Sequence, residues 1–401
     1  MKITIKKGRA TGTVFAPPSK SVAHRLLIAA ALAEGESVIS NVAYSEDILA
    51  TLDCLKVLGA RVEIEGSTVR VIGIGGKVKN TGTLRCRESG STLRFLIPVA
   101  LLGGRGEFSG AERLIARGIG VYREMLGEKG ISFSVETSCI MADGTLTAGH
   151  YAMRGDVSSQ FVSGMLFALP LLAGDSVLEI LPPFESRKYV DITVDVLARF
   201  GVSIEKKDEF TYFIRGGQHY RPASLAVEGD WSNAAFLLAL DSLGGDVRVE
   251  GLKEDSLQGD RGCVSLLGRL ERAGEVIDLS GCPDLAPVLF AVAAAKQGAR
   301  FVGTRRLAIK ESNRAAAMAS ELAKMGARVD VEENAVTVYG GTLRAPTETI
   351  DGHNDHRIVM SMSLLATLVG GQIEGAQAIR KSYPDFFEVL SNLGIEVQYD
   401  T

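Results

Sequence analysis

Residues 155–176 read GDVSSQFVSGMLFALPLLAGDS: three hydrogen-bonding side chains, Ser158, Ser159 and Gln160, lead an apolar run that predicts a helix from about Gln160 to Ala173. That run offers water no face. A helix apolar on every side is a buried helix, so the stretch predicts an architecture with helices enclosed at its centre. It also raises a chemical question. One serine is enough to cap a helix, since its oxygen need only accept one orphan N–H, yet three polar groups crowd this end.

The phrase recurs. Six Ala/Leu-rich helices that stop at glycine run SVAHRLLIAAALAEG, STLRFLIPVALLGG, SQFVSGMLFALPLLAG, SNAAFLLALDSLGG, DLAPVLFAVAAAKQG and DHRIVMSMSLLATLVGG. In step with them run six amphipathic helices, each followed by a glycine and a strand alternating apolar with polar. The shared glycines are Gly59, Gly130, Gly201, Gly274, Gly326 and Gly394, at intervals of 71, 71, 73, 52 and 68 residues, so the fourth interval is trimmed. Glycine there is the expected left-handed C-cap. Each unit offers one buried helix, one amphipathic helix and several strands with one face on helices and one wet. Three units enclosing three buried helices make a domain, and six make two similar α/β domains. The break is expected near GGQHYRPAS, residues 216–224, and the strand-like prefix 2–14 is expected to complete the last unit.

Composition narrows the class of function. The chain has 401 residues, 46% hydrophobic and 23% charged, with a formal charge of −4 and a pI near 5.9. No whole-molecule field favours nucleic acid or an anionic membrane, so any anion site must be local. Five scattered cysteines without a CxxC pair suggest neither a disulfide framework nor a zinc site, and fit a reducing cytoplasm. MKITIKKG at the start lacks a signal-peptide core and no apolar run reaches the roughly 18 residues of a membrane span, so a soluble, non-exported protein is expected.

Five of the six buried helices begin in chemically loaded sequence: PPSKSVAHR, RESGSTLR, SSQ, CPD and HNDHR, while the fourth, GDWSN, reads as plain capping. Helix N-termini carry free N–H donors and about half a positive charge, which suits anions. Lys20, Arg25, Arg94 and Arg357 stand beside these starts, where a cation costs a helix about 0.3–1 kcal/mol. A bound anion would offset that cost. Arg117 in ARGIG, Lys310, Glu311 and Arg314 in IKESNR, and Lys381 in RKSYPDF extend the charged set beyond the helix starts. Arginine's planar fork suits phosphate and carboxylate, and lysine offers a compact charge with a movable proton. Asp284 and Glu311 are available as proton acceptors. An enzyme site for a ligand with several negative charges follows.

PPSKSxxxR, ESGSTLR, ARGIG, VSSQF, ESRKYVDIT, IKESNR, NDHR and KSYPDF stand in the order and spacing of the 5-enolpyruvylshikimate-3-phosphate synthase family, which the chain resembles over essentially its whole length. The resemblance implies an inside-out α/β barrel: two domains, each of three βαβαββ units, with buried helices surrounded by sheets. It implies a double crossover near residues 14 and 227, giving residues 15–227 as the N-terminal domain and residues 1–14 with 228–401 as the C-terminal one. It implies transfer of the enolpyruvyl group of phosphoenolpyruvate to the 5-hydroxyl of shikimate 3-phosphate, with release of phosphate and without metal or organic cofactor. A cytoplasmic monomer acting on these two small molecules, in the pathway to chorismate and the aromatic amino acids, is expected.

Carried over residue by residue, the resemblance makes Ser158 and Ser159 ligands of the shikimate phosphate, with Ser21, Arg25, Ser186 and Tyr189 completing that site and Gln160 reaching both substrates. Lys20, Gly90, Arg117, Arg314, Arg357 and Lys381 resemble the phosphoenolpyruvate clamp. Asp284 is placed like the acid that holds and deprotonates the attacking hydroxyl, and Lys20 and Glu311 like proton donors to the methylene, with Lys310 and His356 beside them. Lys20, Asp284 and Lys310 also fall in the shikimate 3-phosphate site. Three positions depart from the family's common residues: Glu88 and Arg306 for asparagine, and Phe95 for proline after Arg94. Gly90 is retained and leaves room beside the clamp, so glyphosate is expected to compete with phosphoenolpyruvate.

Other readings are weaker. GIGGK, residues 73–77, lacks the Ser/Thr and following helix of a phosphate loop and reads as a turn between strands. His353, Asp355 and His356 lack a third ligand cluster for zinc. The sister transferase acting on UDP-N-acetylglucosamine usually carries a cysteine shortly before its equivalent arginine, and none lies between Phe108 and Val121. A phosphoryl transferase would show a metal-binding carboxylate set, and a binding scaffold would not need its cations gathered at helix starts.

Overall fold

The computed structural model describes residues 1–400 and divides them into two compact units, Lys20–Glu228 and Met1–Ser19 with Gly229 onward. The unit Lys20–Glu228 is built on three buried helices, Lys20–Leu32, Gly90–Ala100 and Ser159–Ala168. Their side chains, Leu26 to Ala31 for example, lie in one continuous apolar core. Three amphipathic helices, Glu46–Val57, Gly120–Gly127 and Arg187–Arg199, accompany them. Three four-stranded sheets complete the unit. In the second, Leu84–Arg85 pairs parallel with Arg105–Ser109, which pairs antiparallel with Cys139–Asp143, itself antiparallel to Ser132–Val135. Two crossovers, one through a buried and one through an amphipathic helix, followed by a hairpin give the βαβαββ unit.

The second unit repeats this plan around Trp231–Ser242, Ala286–Ala295 and His356–Val369, with its own core. Lys2–Ile5 lies between Gly371–Glu374 and Val397–Asp400, antiparallel to both, so residues 2–5 supply a strand of the sixth sheet. Two first strands are exchanged. Thr11–Phe15, which precedes the first buried helix in sequence, pairs with Asp246–Glu250, while Ser224–Ala226, which precedes the fourth, pairs with Glu36–Ser40. The chain therefore passes between units at Ser19–Lys20 and Glu228–Gly229, with the first passage later than residue 14 because Thr11–Phe15 is still hydrogen-bonded within the second unit.

Two local expectations are corrected. The third buried helix ends at Ala168 and tightens into a 3-10 turn at Leu169–Leu171, before Ala173, because Pro170 removes a donor and cannot continue the ladder. After Gly274 the strand Val276–Asp278 is the first strand of the next sheet, parallel to Ala299–Val302, and not a hairpin strand of its own unit. The fourth sheet keeps only two strands among the described residues, which accounts for the trimmed interval.

The C-terminal carbonyls of a buried helix cannot reach water and need donors from elsewhere. GIGGK supplies them. Ile74, Gly75 and Gly76 donate their N–H groups to Ala31, Ala33 and Leu32 at 2.8, 2.9 and 3.1 Å. A Cβ on Gly73 would stand 2.3 Å from the Ala33 oxygen, so the strand end can approach the helix only as glycine. Gly217 and Gln218 do the same for Leu172 and Pro170.

The second and third buried helices meet at Gly164, where an added Cβ would lie 2.2 Å from the Tyr122 hydroxyl and 2.4 Å from the Arg94 carbonyl oxygen. That hydroxyl donates to the Arg94 and Phe161 carbonyls at 2.8 and 2.9 Å, tying the helices together near their functional ends. Gly164→Ala should destabilise the protein by about 1–3 kcal/mol through overpacking, read as a lower midpoint in urea unfolding. An unchanged midpoint would show that the helices can separate freely.

Candidate active site

In the unit Lys20–Glu228 the crowded helix start resolves into three distinct tasks. Ser158, in extended conformation, is the N-cap and accepts the Gln160 N–H at 3.3 Å. Ser159 is buried as the first helical residue. Gln160 reaches across to the second buried helix: its Oε1 accepts from Arg94 Nη1 at 2.6 Å and its Nε2 donates to Ser91 Oγ at 2.9 Å. Gly90 opens that helix, and a Cβ there would stand 3.4 Å from Arg94 Nη1 and 3.5 Å from both Arg117 Nη1 and Gln160 Oε1. Two guanidinium groups and an amide thus converge on a glycine, around a helix N-terminus that itself favours anions. Lys20, first in its helix, is paired with Asp47 at 2.8 Å.

Arg25 lies among the shikimate-site candidates and also binds three groups of the protein. Its Nε donates to Thr193 Oγ1 at 2.7 Å, Nη1 to the Ser21 carbonyl at 2.7 Å and Nη2 to the Tyr189 carbonyl at 2.9 Å. Its guanidinium also stacks over Phe95 at 4.9 Å. Burial lowers its pKa to about 10, which leaves it cationic at neutral pH. Arg25 therefore fixes Ser21 and Tyr189 relative to each other. Ser186, N-cap of the helix carrying Tyr189, is held at φ 54°, a left-handed conformation that costs a non-glycine residue energy.

Phe95 leaves the second buried helix regular. Its ring is fully buried, edge-on to His24 and 5.6 Å from Phe167, so it fills interior space and lies under the Arg25 cation. His24 is buried, kept neutral chiefly by desolvation with Lys20 and Arg25 adding to the effect, and bonded to Thr51 at 2.8 Å.

In the other unit the charged residues form one knot. Arg314, wholly buried, donates from Nε to Asp355 Oδ2 at 2.9 Å, from Nη1 to Asp284 Oδ1 at 2.8 Å and from Nη2 to Glu311 Oε2 at 2.6 Å. Lys310 Nζ stands 3.2 Å from the same Asp284 oxygen, and Arg357 binds the Asp284 carbonyl at 3.0 Å and lies 3.5 Å from its Oδ2. Burial pushes the Asp284 carboxyl up, but Lys310, Arg357 and Arg314 outweigh it and hold the group well below the usual carboxylate range. Burial lowers Lys310, with Asp284 opposing.

Asp355 caps the sixth buried helix by accepting the Arg357 N–H at 2.9 Å, and also accepts from Ser312 at 3.0 Å. His356 follows it, buried, with Nδ1 3.8 Å from Asp355 Oδ1. Lys381 Nζ donates to the Asn354 carbonyl at 2.6 Å. Arg306 is buried and donates to the Ser280 carbonyl at 2.5 Å. The zinc-like His353 and His356 are instead in carboxylate contacts, with Glu321 and Asp355, and among the described residues no group of three or more His, Cys, Asp or Glu could hold a metal ion. The fourth buried helix has simple capping, Asp230 accepting from Asn233 N at 2.9 Å.

Sequence reasoning missed Asp47, Thr193 and Glu321, and it took Asp355 only as a doubtful metal ligand. Asp355 had a readable signal, since an aspartate directly before an apolar helix is an N-cap. The others are partners defined by packing.

Enclosed helices ringed by sheets in two units, with cations gathered at the helix starts, define the class as an enolpyruvyl-transferase fold. An EPSP synthase from Acinetobacter baumannii matches with a TM-score of 0.80 at 24% identity, covering 99% of this chain and 100% of that one. The enolpyruvyl transferase NikO from Streptomyces tendae matches at 0.79 with 19% identity, covering 100% and 99%. Sequence identifies the family. The model of EPSP synthase (3-phosphoshikimate 1-carboxyvinyltransferase) matches residues 5–276 and 264–390, and the chain belongs to that family. It is 40% identical to the 3-phosphoshikimate 1-carboxyvinyltransferase of Clostridium kluyveri and 38% to that of Clostridium perfringens strain 13, over 98% of both chains in each case.

Removing one partner of a buried ion pair strands the other, so Asp355→Asn should cost about 3–5 kcal/mol by chemical denaturation. Asp284 and Asp355 both have depressed folded pKa values, the latter because Arg314 outweighs burial. Their contribution is therefore complete above the unfolded carboxylate pKa of about 4 and fades as pH falls through the folded values. Denaturation midpoints should drop below about pH 4 in the wild type and less steeply in Asp355→Asn. Parallel pH curves for the two proteins would contradict the assignment.

Proposed function

We propose that the protein transfers the enolpyruvyl group of phosphoenolpyruvate to the 5-hydroxyl of shikimate 3-phosphate, releasing inorganic phosphate, as a soluble monomer of the cytoplasm. Family membership supports the reaction, and the five free cysteines support a reducing compartment. The observation that carries the chemistry is the knot at Asp284, a carboxylate ringed by Lys310, Arg314 and Arg357, with Glu311 on another arm of Arg314.

Ser21, Arg25, Ser158, Ser159, Ser186 and Tyr189 serve shikimate 3-phosphate, Arg25 by fixing the backbone of Ser21 and Tyr189. Lys20, Arg117, Arg314, Arg357 and Lys381 meet the phosphate and carboxylate of phosphoenolpyruvate, Gly90 leaves the space and Gln160 serves both ligands. A proton from Lys20 or Glu311 reaches the methylene carbon, which makes the neighbouring carbon electrophilic. The 5-hydroxyl oxygen adds to that carbon and its proton passes to Asp284, with Lys310 and His356 beside it. The deprotonated Lys20 or Glu311 then takes a proton back from the methyl group of the tetrahedral intermediate, the double bond reforms and the C–O bond to phosphate breaks, so that phosphate leaves with the bridging oxygen.

Arg314 and Lys20 pair with carboxylates of the protein, Asp284 and Glu311 for the one and Asp47 for the other. A substrate anion shared with those cations offsets part of their positive charge, so Asp284, still beside Lys310, protonates more readily than beside the cations alone. Binding thus converts Asp284 from a group held ionised into a competent proton acceptor.

Phosphate release should require both substrates. Release without shikimate 3-phosphate, or accumulation of pyruvate, would contradict the proposal. Lys20→Ala and Arg117→Ala should each lower kcat/KM about 100-fold or more, as loss of a charge-stabilising donor does, with unchanged unfolding midpoints. Full turnover in either variant would remove that residue from the clamp.

A further inference from the structure

One face of the helix Arg314–Lys324 grips the segment Asp351–Asp355 at both ends. Arg314 holds Asp355, and Glu321, two turns further along, is buried and holds the other end. Glu321 Oε2 accepts the Asp351 N–H at 2.9 Å and Oε1 pairs with His353 Nε2 at 2.9 Å, while Lys324 Nζ lies 2.7 Å from Oε2. Between the grips the chain is strained. His353 and Asn354 stand at φ 49° and 50°, a pair of left-handed residues that are not glycine. The Asp355 N–H closes the turn on the Gly352 carbonyl at 2.8 Å, and His353 N–H binds the Asp351 side chain at 2.7 Å.

The strained turn exports two groups to the cations of the site. The Asn354 carbonyl takes the Lys381 ammonium, and the Asp355 carboxylate takes the Arg314 guanidinium and caps the helix carrying Arg357. A turn in a sparsely populated conformation persists only where its surroundings hold it. Glu321 and His353 touch none of the residues assigned to substrate, yet they supply that hold.

We propose that the Glu321–His353 pair positions the anion-binding cations: it locks the turn that aims Lys381 through Asn354 and Arg314 through Asp355. The inference rests on the assignment of these cations to phosphoenolpyruvate. The hydrogen bond that Glu321 accepts raises the pKa of His353, with burial opposing, Asp351 adding to the rise and Lys324 lowering it. Glu321 and Lys324 from the helix and Asp351 from the turn are the charged groups facing the ring. Below its raised pKa His353 is a cation paired with Glu321, and above it that charge is lost and the hold weakens.

The test is steady-state kinetics with both substrates from about pH 6 to 9, spanning histidine titration, on wild type, Glu321→Gln, His353→Gln and Lys381→Ala. Glu321→Gln and His353→Gln should raise KM for phosphoenolpyruvate about tenfold, the equivalent of one charge-assisted hydrogen bond, with kcat and KM for shikimate 3-phosphate nearly unchanged. In the wild type that KM should rise with pH as His353 deprotonates, and the rise should vanish in His353→Gln. If Glu321→Gln fails to fold, His353→Gln carries the test, since the His353 side chain is 29% exposed. A raised KM in Lys381→Ala with none in the folded Glu321 or His353 variants, or a pH dependence that survives in His353→Gln, overturns the inference. An unchanged KM in Lys381→Ala overturns the assignment beneath it, and the inference with it.

Discussion

A helix that is apolar on every face can carry polar chemistry only at its ends. That constraint organises the protein. Enclosure leaves the C-terminal carbonyls of the buried helices without water, so glycine-rich strand ends are drawn in to bond them, as Ile74–Gly76 do for the first helix. The same enclosure sends the functional groups to the N-terminal ends: Lys20, Gly90, Ser158 to Gln160, Asp284 and Asp355 to Arg357 all stand there. Dipole and free N–H groups at those ends favour anions, and the proposed function explains the cations beside them, unfavourable to the helices, by anionic substrates.

Placing that much positive charge in a low-dielectric interior is costly unless each cation is paired. The partners are the protein's own: Asp47 for Lys20, three carboxylates for Arg314, a backbone carbonyl for Lys381. Under the proposed function, substrate binding is an exchange of partners more than a desolvation of bare charge, and two of the carboxylates in that exchange, Asp284 and Glu311, are the proposed proton carriers.

The repeat was legible because burial and capping are local. Apolar periodicity marked the six enclosed helices, and the motifs at the helix starts marked the cations. Gly59, Gly201, Gly326 and Gly394 marked helix ends directly after the cap residue, while Gly274 stands well past the helix end at Arg269. What stayed hidden depends on three-dimensional partners. No local pattern shows that Val276–Asp278 joins the next sheet, or that Thr11–Phe15 and Ser224–Ala226 exchange places. Nor does any local pattern show that Arg25 also binds Thr193, Ser21 and Tyr189. Phe95, unexpected after Arg94, is a packing residue between His24 and Phe167. Glu321 sits inside an ordinary amphipathic helix and gives no sign in sequence that it holds His353.

The central claim is that these groups direct a hydroxyl to carbon and never to phosphorus. Phosphoenolpyruvate carrying heavy oxygen at the bridging C–O–P position tests it most directly. Carboxyvinyl transfer breaks the C–O bond, so mass spectrometry should find the label in the released phosphate, and solvent deuterium should enter the methylene group through the transient methyl. Unlabelled phosphate, or label retained on the three-carbon product, would mean that the P–O bond is broken and would contradict the account.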